Sequence, residues 1–282
     1  QSDASADSGS DSGGFIGPPP PASICDPSAT FAAGTALTIS TSDDDVLDAI
    51  TPDELTIVWT QGSGASATVD YADRTSASSD FDSPQKLGNG LYTADRVAVS
   101  PDGLRLVVVN AIATTGFSEM TRTARTGAGS TFGAAALGSF SNVDSNAPFG
   151  ASLGDPVVDS NDTAFYYSVY GVGAAKTLYR ALRLLPTDVW GNGGALNVAA
   201  GLQASGSMRR RPSGISSDGQ TLFFFDQVTG TERDAWINET TGQFDSFADL
   251  GARLWAAPAT SCGKLYYSAT GTSSVDLYVA TH

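Results

Sequence analysis

The seven residues Phe31-Ala-Ala-Gly-Thr-Ala-Leu37 decide how the rest of this sequence is read. An aromatic residue and a leucine stand six positions apart, with no apolar partner segment nearby. The same interval returns at Phe81–Leu87, Trp190–Leu196 and Phe244–Leu250, and shortened to five at Phe132–Leu137. Each of the later copies closes a larger unit, so internal periodicity governs the reading.

Every unit opens on a turn. The turns are Thr51-Pro-Asp-Glu54, Ser100-Pro-Asp-Gly103, Asp159-Ser-Asn-Asp162, Ser216-Ser-Asp-Gly219 and Thr260-Ser-Cys-Gly263. Pro and Asp or Asn followed by Gly suit a tight hairpin, because Gly accepts a positive φ without steric cost. A strand dense in β-branched and aromatic residues follows each turn: Leu55–Trp59, Leu104–Val109, Ala164–Ser168, Thr221–Phe225 and Lys264–Ser268. Near-continuous apolar character predicts burial on both faces. A second, alternating strand follows at Val69–Ala72, Phe117–Met120, Leu178–Ala181, Asp234–Ile237 and Asp276–Val279.

Four of these hairpins are followed by their own aromatic-to-leucine segment; the fifth ends at His282. Phe31–Leu37 supplies the missing piece from the other end of the chain. The expected fold is therefore all-β: a five-bladed β-propeller of four-stranded antiparallel blades, closed by the N-terminal strand and preceded by an extended arm. Asp53, Asp102, Asn161 and Asp218 are separated by 49, 59 and 57 residues, which are blade-sized intervals. Residues 1–21 form the arm and 22–282 the propeller, with blades at about 47–90, 91–140, 141–203, 204–250 and 251–282, the last completed by 31–46. Cys25 precedes the closing strand and Cys262 lies in the turn of the blade it would join, so a disulfide between them would staple the ring. A loop of that length contributes roughly 4–5 kcal/mol by chain entropy.

"SPDGLRLVVV" and "SSDGQTLFFF", followed by "VDLYVAT"-type strands and the aromatic-to-leucine segments, resemble the Pro-Asp repeats of TolB-type, WD-like propellers. The resemblance covers about residues 31–282 and implies a secreted or cell-envelope bacterial protein. TolB itself has six blades and a further domain, so its partners are not carried over.

Composition agrees. Thirty Asp and Glu against 15 Lys and Arg give a formal charge of −15, which repels rather than neutralises phosphates and excludes a nucleic-acid partner. Charged residues make up 16% of the chain beside 31 glycines, the profile of a turn-rich β protein from outside the cytoplasm. No apolar run approaches the about 20 residues of a membrane span. The first residue is Gln1, as expected if a signal segment has been removed. Asn161 and Asn238 head N-x-T sequons and are glycosylation candidates.

Residues 1–14 are Ser, Asp, Gly and Ala after Gln1, followed by Phe15-Ile16-Gly17 and Pro18–Pro21. Such a segment buries no core of its own, and four prolines read as a stiff spacer. It is either a tether or a docking arm, with Asp3, Asp7 and Asp11 recurring every four residues and Phe15-Ile16 as an anchor on another copy or another surface protein. Calcium at those aspartates is a third reading, though their spacing is not that of an EF-hand loop.

No cofactor or transition-metal site is expected. The single histidine is terminal, and neither a nucleotide-binding glycine loop nor a zinc pattern occurs. Carboxylates remain: Asp48, Asp95 and Asp155 fall near the starts of innermost strands, where a glycosidase would need two carboxyls about 5 or 6.5–9.5 Å apart. Arg209-Arg210-Arg211 lead into the fourth blade and either neutralise those aspartates or bind an anionic partner, an acidic arm included. Three of the four tryptophans, Trp59, Trp190 and Trp236, are predicted to be buried; Trp255 is the exposed candidate for stacking a glycan. The favoured function is a non-enzymatic structural or interaction module, with a lectin-like propeller and a carboxylate glycosidase as alternatives.

Overall fold

The computed structural model describes residue 25 and residues 30–62, 67–87, 96–109, 116–125, 130–136, 139–145, 151–171, 174–196, 210–226, 231–238, 243–271 and 274–282. Residues 171, 174–177, 210, 226, 231–238 and 243–247 are described by their backbone alone. The chain begins with β1 (Thr35–Ala36), then β2 (Asp45–Ile50), β3 (Thr56–Gln61), β4 (Thr68–Asp73) and β5 (Gln85–Lys86). β6 (Ala98–Val99), β7 (Arg105–Val109) and β8 (Phe117–Thr121) follow, and a short helix α1 (Ser141–Ser145) leads to β9 (Ala151–Val158), β10 (Ala164–Gly171), β11 (Ala174–Leu182) and β12 (Gly194–Ala195). β13 (Arg210–Ile215), β14 (Thr221–Asp226), β15 (Thr231–Asn238) and β16 (Gln243–Asp249) precede β17 (Leu254–Pro258), β18 (Lys264–Thr270) and β19 (Val275–Thr281).

Strands pair antiparallel into four-stranded sheets ordered β2-β3-β4-β5, β9-β10-β11-β12, β13-β14-β15-β16 and β17-β18-β19-β1, with β6-β7-β8 as a three-stranded sheet. Ala136 bridges Glu119 on the outer side of β8. β1 joins β19 with Thr35 opposite Val279 and Ala36 opposite Tyr278. Innermost strands touch in sequence, β2 on β6, β6 on β9, β9 on β13, β13 on β17 and β17 on β2. The arrangement is that of an all-β propeller. Cys25 and Cys262 are joined as a disulfide, with Cα atoms 5.1 Å apart.

The turns behave as their residues dictate. Thr51 Oγ1, Ser100 Oγ, Asp159 Oδ1 and Ser216 Oγ each accept the backbone N–H five residues on, at 2.8–2.9 Å. Asp53, Asp102 and Asp218 accept from the residue two ahead, closing an Asx turn. The left-handed position is glycine only twice, at Gly103 and Gly219; Glu54, Asp162 and Cys262 hold it elsewhere, at φ 64°, 58° and 52°.

The aromatic-to-leucine segments are mostly not strand. Their regular pairing shrinks to two residues in β1, β5 and β12. The aromatic residue instead serves an arginine at the end of the third strand. The guanidinium carbons of Arg74, Arg122 and Arg183 lie 4.3, 4.6 and 4.1 Å from the ring centres of Phe81, Phe132 and Trp190. The same arginines donate through Nε to the carbonyls of Glu54, Gly103 and Asp162, the left-handed turn residues. Leu37, Leu87 and Leu196 each donate a backbone N–H to the third strand, at Leu277, Val69 and Leu178. In the last sheet His282 replaces the arginine, its ring 5.3 Å from Phe31.

Apolar side chains fill the spaces between sheets. Phe117, Phe140, Phe165, Tyr167 and Trp190 form one aromatic core, and Ile57, Trp59, Tyr266 and Leu277 belong to another. Burial of each ring contributes a few kcal/mol at about 25 cal/mol per Å2. Ion pairs stitch the same seams. Arg122 holds Asp73 in a fork at 2.6 and 2.9 Å, with Thr56 donating to the same carboxylate. Glu54 accepts from Arg74, Lys264 and the Tyr266 hydroxyl, whose ionisation is pushed upward by burial and then by that carboxylate. No helix among the described residues is long and apolar enough to cross a membrane.

Candidate functional site

Each innermost strand, or for β6 the second residue before it, delivers one polar or aromatic side chain to the centre: Asp48, Arg96, Asp155, Arg211 and Trp255. Bulges aim several of them. The register of β2 on β3 slips between Leu47 and Ala49, freeing Asp48, and β17 slips on β18 between Leu254 and Ala257, freeing Trp255. Arg96, Asp155 and Trp255 take positive φ values of 22°, 54° and 56°. For non-glycine residues such backbones cost of order 1–3 kcal/mol each, so packing must hold them.

The five groups form a chain of contacts. Arg96 Nη2 donates to the Asp48 carbonyl at 2.6 Å, and its Nε lies 3.7 Å from Asp48 Oδ1. Thr60 donates to Asp48 Oδ2 at 2.8 Å. The guanidinium carbons of Arg96 and Arg211 lie 4.5 and 4.4 Å from the Trp255 ring centre, and Phe225 packs at 4.7 Å. Arg211 Nε donates to Asp155 Oδ1 at 2.5 Å, and Ser168 donates to Asp155 Oδ2. Two guanidiniums thus share one aromatic ring, and each also faces a carboxylate. Burial pushes the Asp48 carboxyl up to about 7, against the pull of Arg96 and the Thr60 hydrogen bond.

The far end of the centre is ringed by equivalent turn residues. Ser160 Oγ donates to the Ser217 carbonyl and Ser217 Oγ to the Thr260 carbonyl, both at 2.7 Å; Thr260 in turn donates to the Pro52 carbonyl. Between the turns and the charged cluster lies a cavity of about 40 Å3 touched by all five innermost strands. A volume of that size has room for a few waters.

The raised Asp48 and the arginine-held Asp155 are both at most 1% exposed, and both accept hydrogen bonds from neighbouring side chains. Among the described residues no group of three or more His, Cys, Asp or Glu side chains is placed to hold a metal ion.

Several sequence-derived assignments change here. Trp255 is 8% exposed rather than open, because two guanidiniums and Phe225 cover its ring. Of the arginine run, Arg211 turns inward to Asp155, Arg210 is known only as backbone in β13, and Arg209 lies outside the described residues. Arg211 Nε thus pairs with an internal carboxylate, the neutralising role weighed for the run. Asp3, Asp7, Asp11, Phe15, Ile16 and Asp95 lie outside the described residues, and with them the calcium reading. Asn161 is exposed on its turn; the Asn238 side chain is not described. Trp59 and Trp190 are buried as predicted. Sequence reading missed Arg96 and the arginines stacked on the aromatic residues. For the latter a signal was present, since Arg74 and Arg183 each precede their aromatic partner by seven residues.

No protein-family model matches the chain, and no curated protein sequence matches it. Strand order and centre define a β-propeller. Among solved structures, TolB from Acinetobacter baumannii superposes with a TM-score of 0.50 at 13% identity, over 85% of this chain and 55% of that one. A putative TolB from Agrobacterium tumefaciens gives 0.45 at 14% identity, over 86% of this chain and 84% of that one. The fold is TolB-like, and the chain spans about half the length of the first of these structures.

Proposed function

We propose that residues 22–282 form a five-bladed propeller, closed by residues 31–37, that works as a non-enzymatic structural or interaction module. The observation that carries closure is equivalence: Ala32 and Leu37 donate to Thr281 and Leu277 as Asp82 and Leu87 donate to Asp73 and Val69. β1 thus occupies beside β19 the place that β5 has beside β4. The β6-β7-β8 sheet with its Ala136 bridge counts as the fifth blade. The burial and mutual contacts of Asp48, Arg96, Trp255, Arg211 and Asp155 support a central plug that holds blades together rather than a catalytic cleft. Acidic composition and the disulfide support a place outside the cytoplasm, in the envelope or beyond it. Residues 1–21 act as an arm that engages another copy.

The enzymatic alternative is tested by screening chromogenic glycosides against the wild type, Asp48→Asn and Asp155→Asn. No turnover by any of the three is expected. Turnover by the wild type that both substitutions abolish would overturn the non-enzymatic reading.

A further inference from the structure

The large apolar side chains exposed among the described residues all lie in one segment. Leu182, Leu184, Leu185 and Val189, which bound the loop from β11 toward β12, are 52%, 89%, 59% and 57% exposed. Four such residues within eight positions concentrate exposed apolar surface in one knob, the kind of surface that marks a protein contact.

The first sheet contains an internal control. Its loop from Arg74 to Phe81 has the same length as the loop from Arg183 to Trp190. The two are built by the same bonds. Ser79 N–H donates to the Ser76 carbonyl as Asp188 N–H donates to that of Leu185. Ser76 N–H donates to Ser79 Oγ at 3.2 Å, and Leu185 N–H to Asp188 Oδ2 at 3.0 Å. Arg74 Nη1 reaches the Ser79 carbonyl and Arg183 Nη1 the Asp188 carbonyl, each at 3.2 Å. Position by position, Thr75, Ser76 and Asp80 stand where Leu184, Leu185 and Val189 stand. This turn therefore forms with polar residues at the three outward positions. The leucines and valine serve something other than the loop's own geometry, and the knob they form is held rigidly in advance of any contact.

We propose that this loop is the receptor for Phe15-Ile16 of a second copy of the chain. The inference rests on the reading of residues 1–21 as an arm. Ahead of Cys25 the sequence offers, apart from Ile24 and the prolines, no apolar side chain larger than Ala except Phe15 and Ile16. The arm is anchored at Cys262, in the β17-β18 turn, whereas the knob belongs to the β9–β12 sheet. Eight residues separate Ile16 from Cys25, and four are prolines, the sequence of a semi-rigid spacer spanning about 3.1 Å per residue. In the assembly proposed, a spacer of that composition spans to a neighbouring molecule. Arg211, the other receptor considered for the arm, is occupied by Asp155.

The test uses the full chain in two variants, Phe15→Ser with Ile16→Ser, and Leu184→Thr with Leu185→Ser and Val189→Asp. The second set copies the residues of the first sheet's loop, and circular dichroism checks that both variants fold. Light scattering should find the wild type associated and each variant at the 28.9 kDa of one chain. An equal mixture of the two should give a species of twice that mass, since one supplies an intact arm and the other an intact knob. If only the arm variant dissociates, the knob is not the receptor while the arm reading stands. If both are single chains but do not complement, arm and knob do not meet and the proposal falls. A wild type already at 28.9 kDa at every concentration reached would overturn the arm reading itself.

Discussion

The guanidinium carbon of Arg183 sits 4.1 Å from the centre of the Trp190 ring. That arginine also donates to the carbonyls of Asp162 and Asp188, tying the left-handed turn, the outer loop and the aromatic residue into one unit. Trp190→Ala should cost about 3–5 kcal/mol in urea denaturation, the range for emptying a buried aromatic site. Arg183→Lys keeps the charge but loses the planar fork, and should cost about 1–3 kcal/mol. A lysine variant as stable as wild type would show that charge alone matters there.

Cys262 combines two roles, disulfide partner and left-handed turn residue at φ 52°. Losing the bridge should destabilise by about 2–5 kcal/mol. Cys262→Gly should remain about 1 kcal/mol more stable than Cys262→Ser, because glycine tolerates that φ as Gly103 and Gly219 do in the equivalent turns. Thermal melts of the two variants, neither able to form the bridge, separate backbone cost from cross-link.

Gly214 lies where β13 meets β17, and a Cβ there would come within 2.9 Å of the Ala257 Cα and 3.0 Å of the Pro258 ring. Backbone cannot yield as a flexible side chain does. Gly214→Ala should therefore destabilise by about 1–3 kcal/mol, in the manner of overpacked cores. Gly219→Ala meets no atom within 4 Å, so its cost, about 1 kcal/mol, comes from φ alone.

The folded Asp48 carboxyl titrates near 7, above the 3.8 of an unburied aspartate. Between those two values the folded state binds more protons than the unfolded chain, so this group's stability is complete below about pH 4 and is lost as pH rises through 7. Asp48→Asn keeps the side-chain volume and removes the titration. The fall in melting temperature between pH 4 and 7 should be shallower in this variant than in the wild type; an unchanged slope would assign the pH dependence elsewhere.

Much of the architecture was legible because the signals are local. Leu222, Phe223 and Phe224 in β14, and Leu265, Tyr266 and Tyr267 in β18, are buried on both sides, as continuous apolar runs require. The Ser-Pro-Asp-Gly turn encodes its own hydrogen bonds. The interval from Phe31 to Leu37 located an outer segment, yet its purpose was hidden, since Phe81, Phe132 and Trp190 each serve an arginine from a different part of the unit. The centre was harder still. Trp255 looks exposable in a sequence, and only the convergence of strands from five sheets brings Arg96 and Arg211 against its ring. Pairing over such separations leaves no periodic trace.

The pairing of β1 with β19 decides the account. Nuclear Overhauser contacts measured on deuterated protein should link the amides and α-protons of Thr35 with Val279 and of Ala36 with Tyr278. Residues 31–37 showing random-coil shifts and no contact with β19 would leave the sheet's outer edge open and contradict closure of the ring.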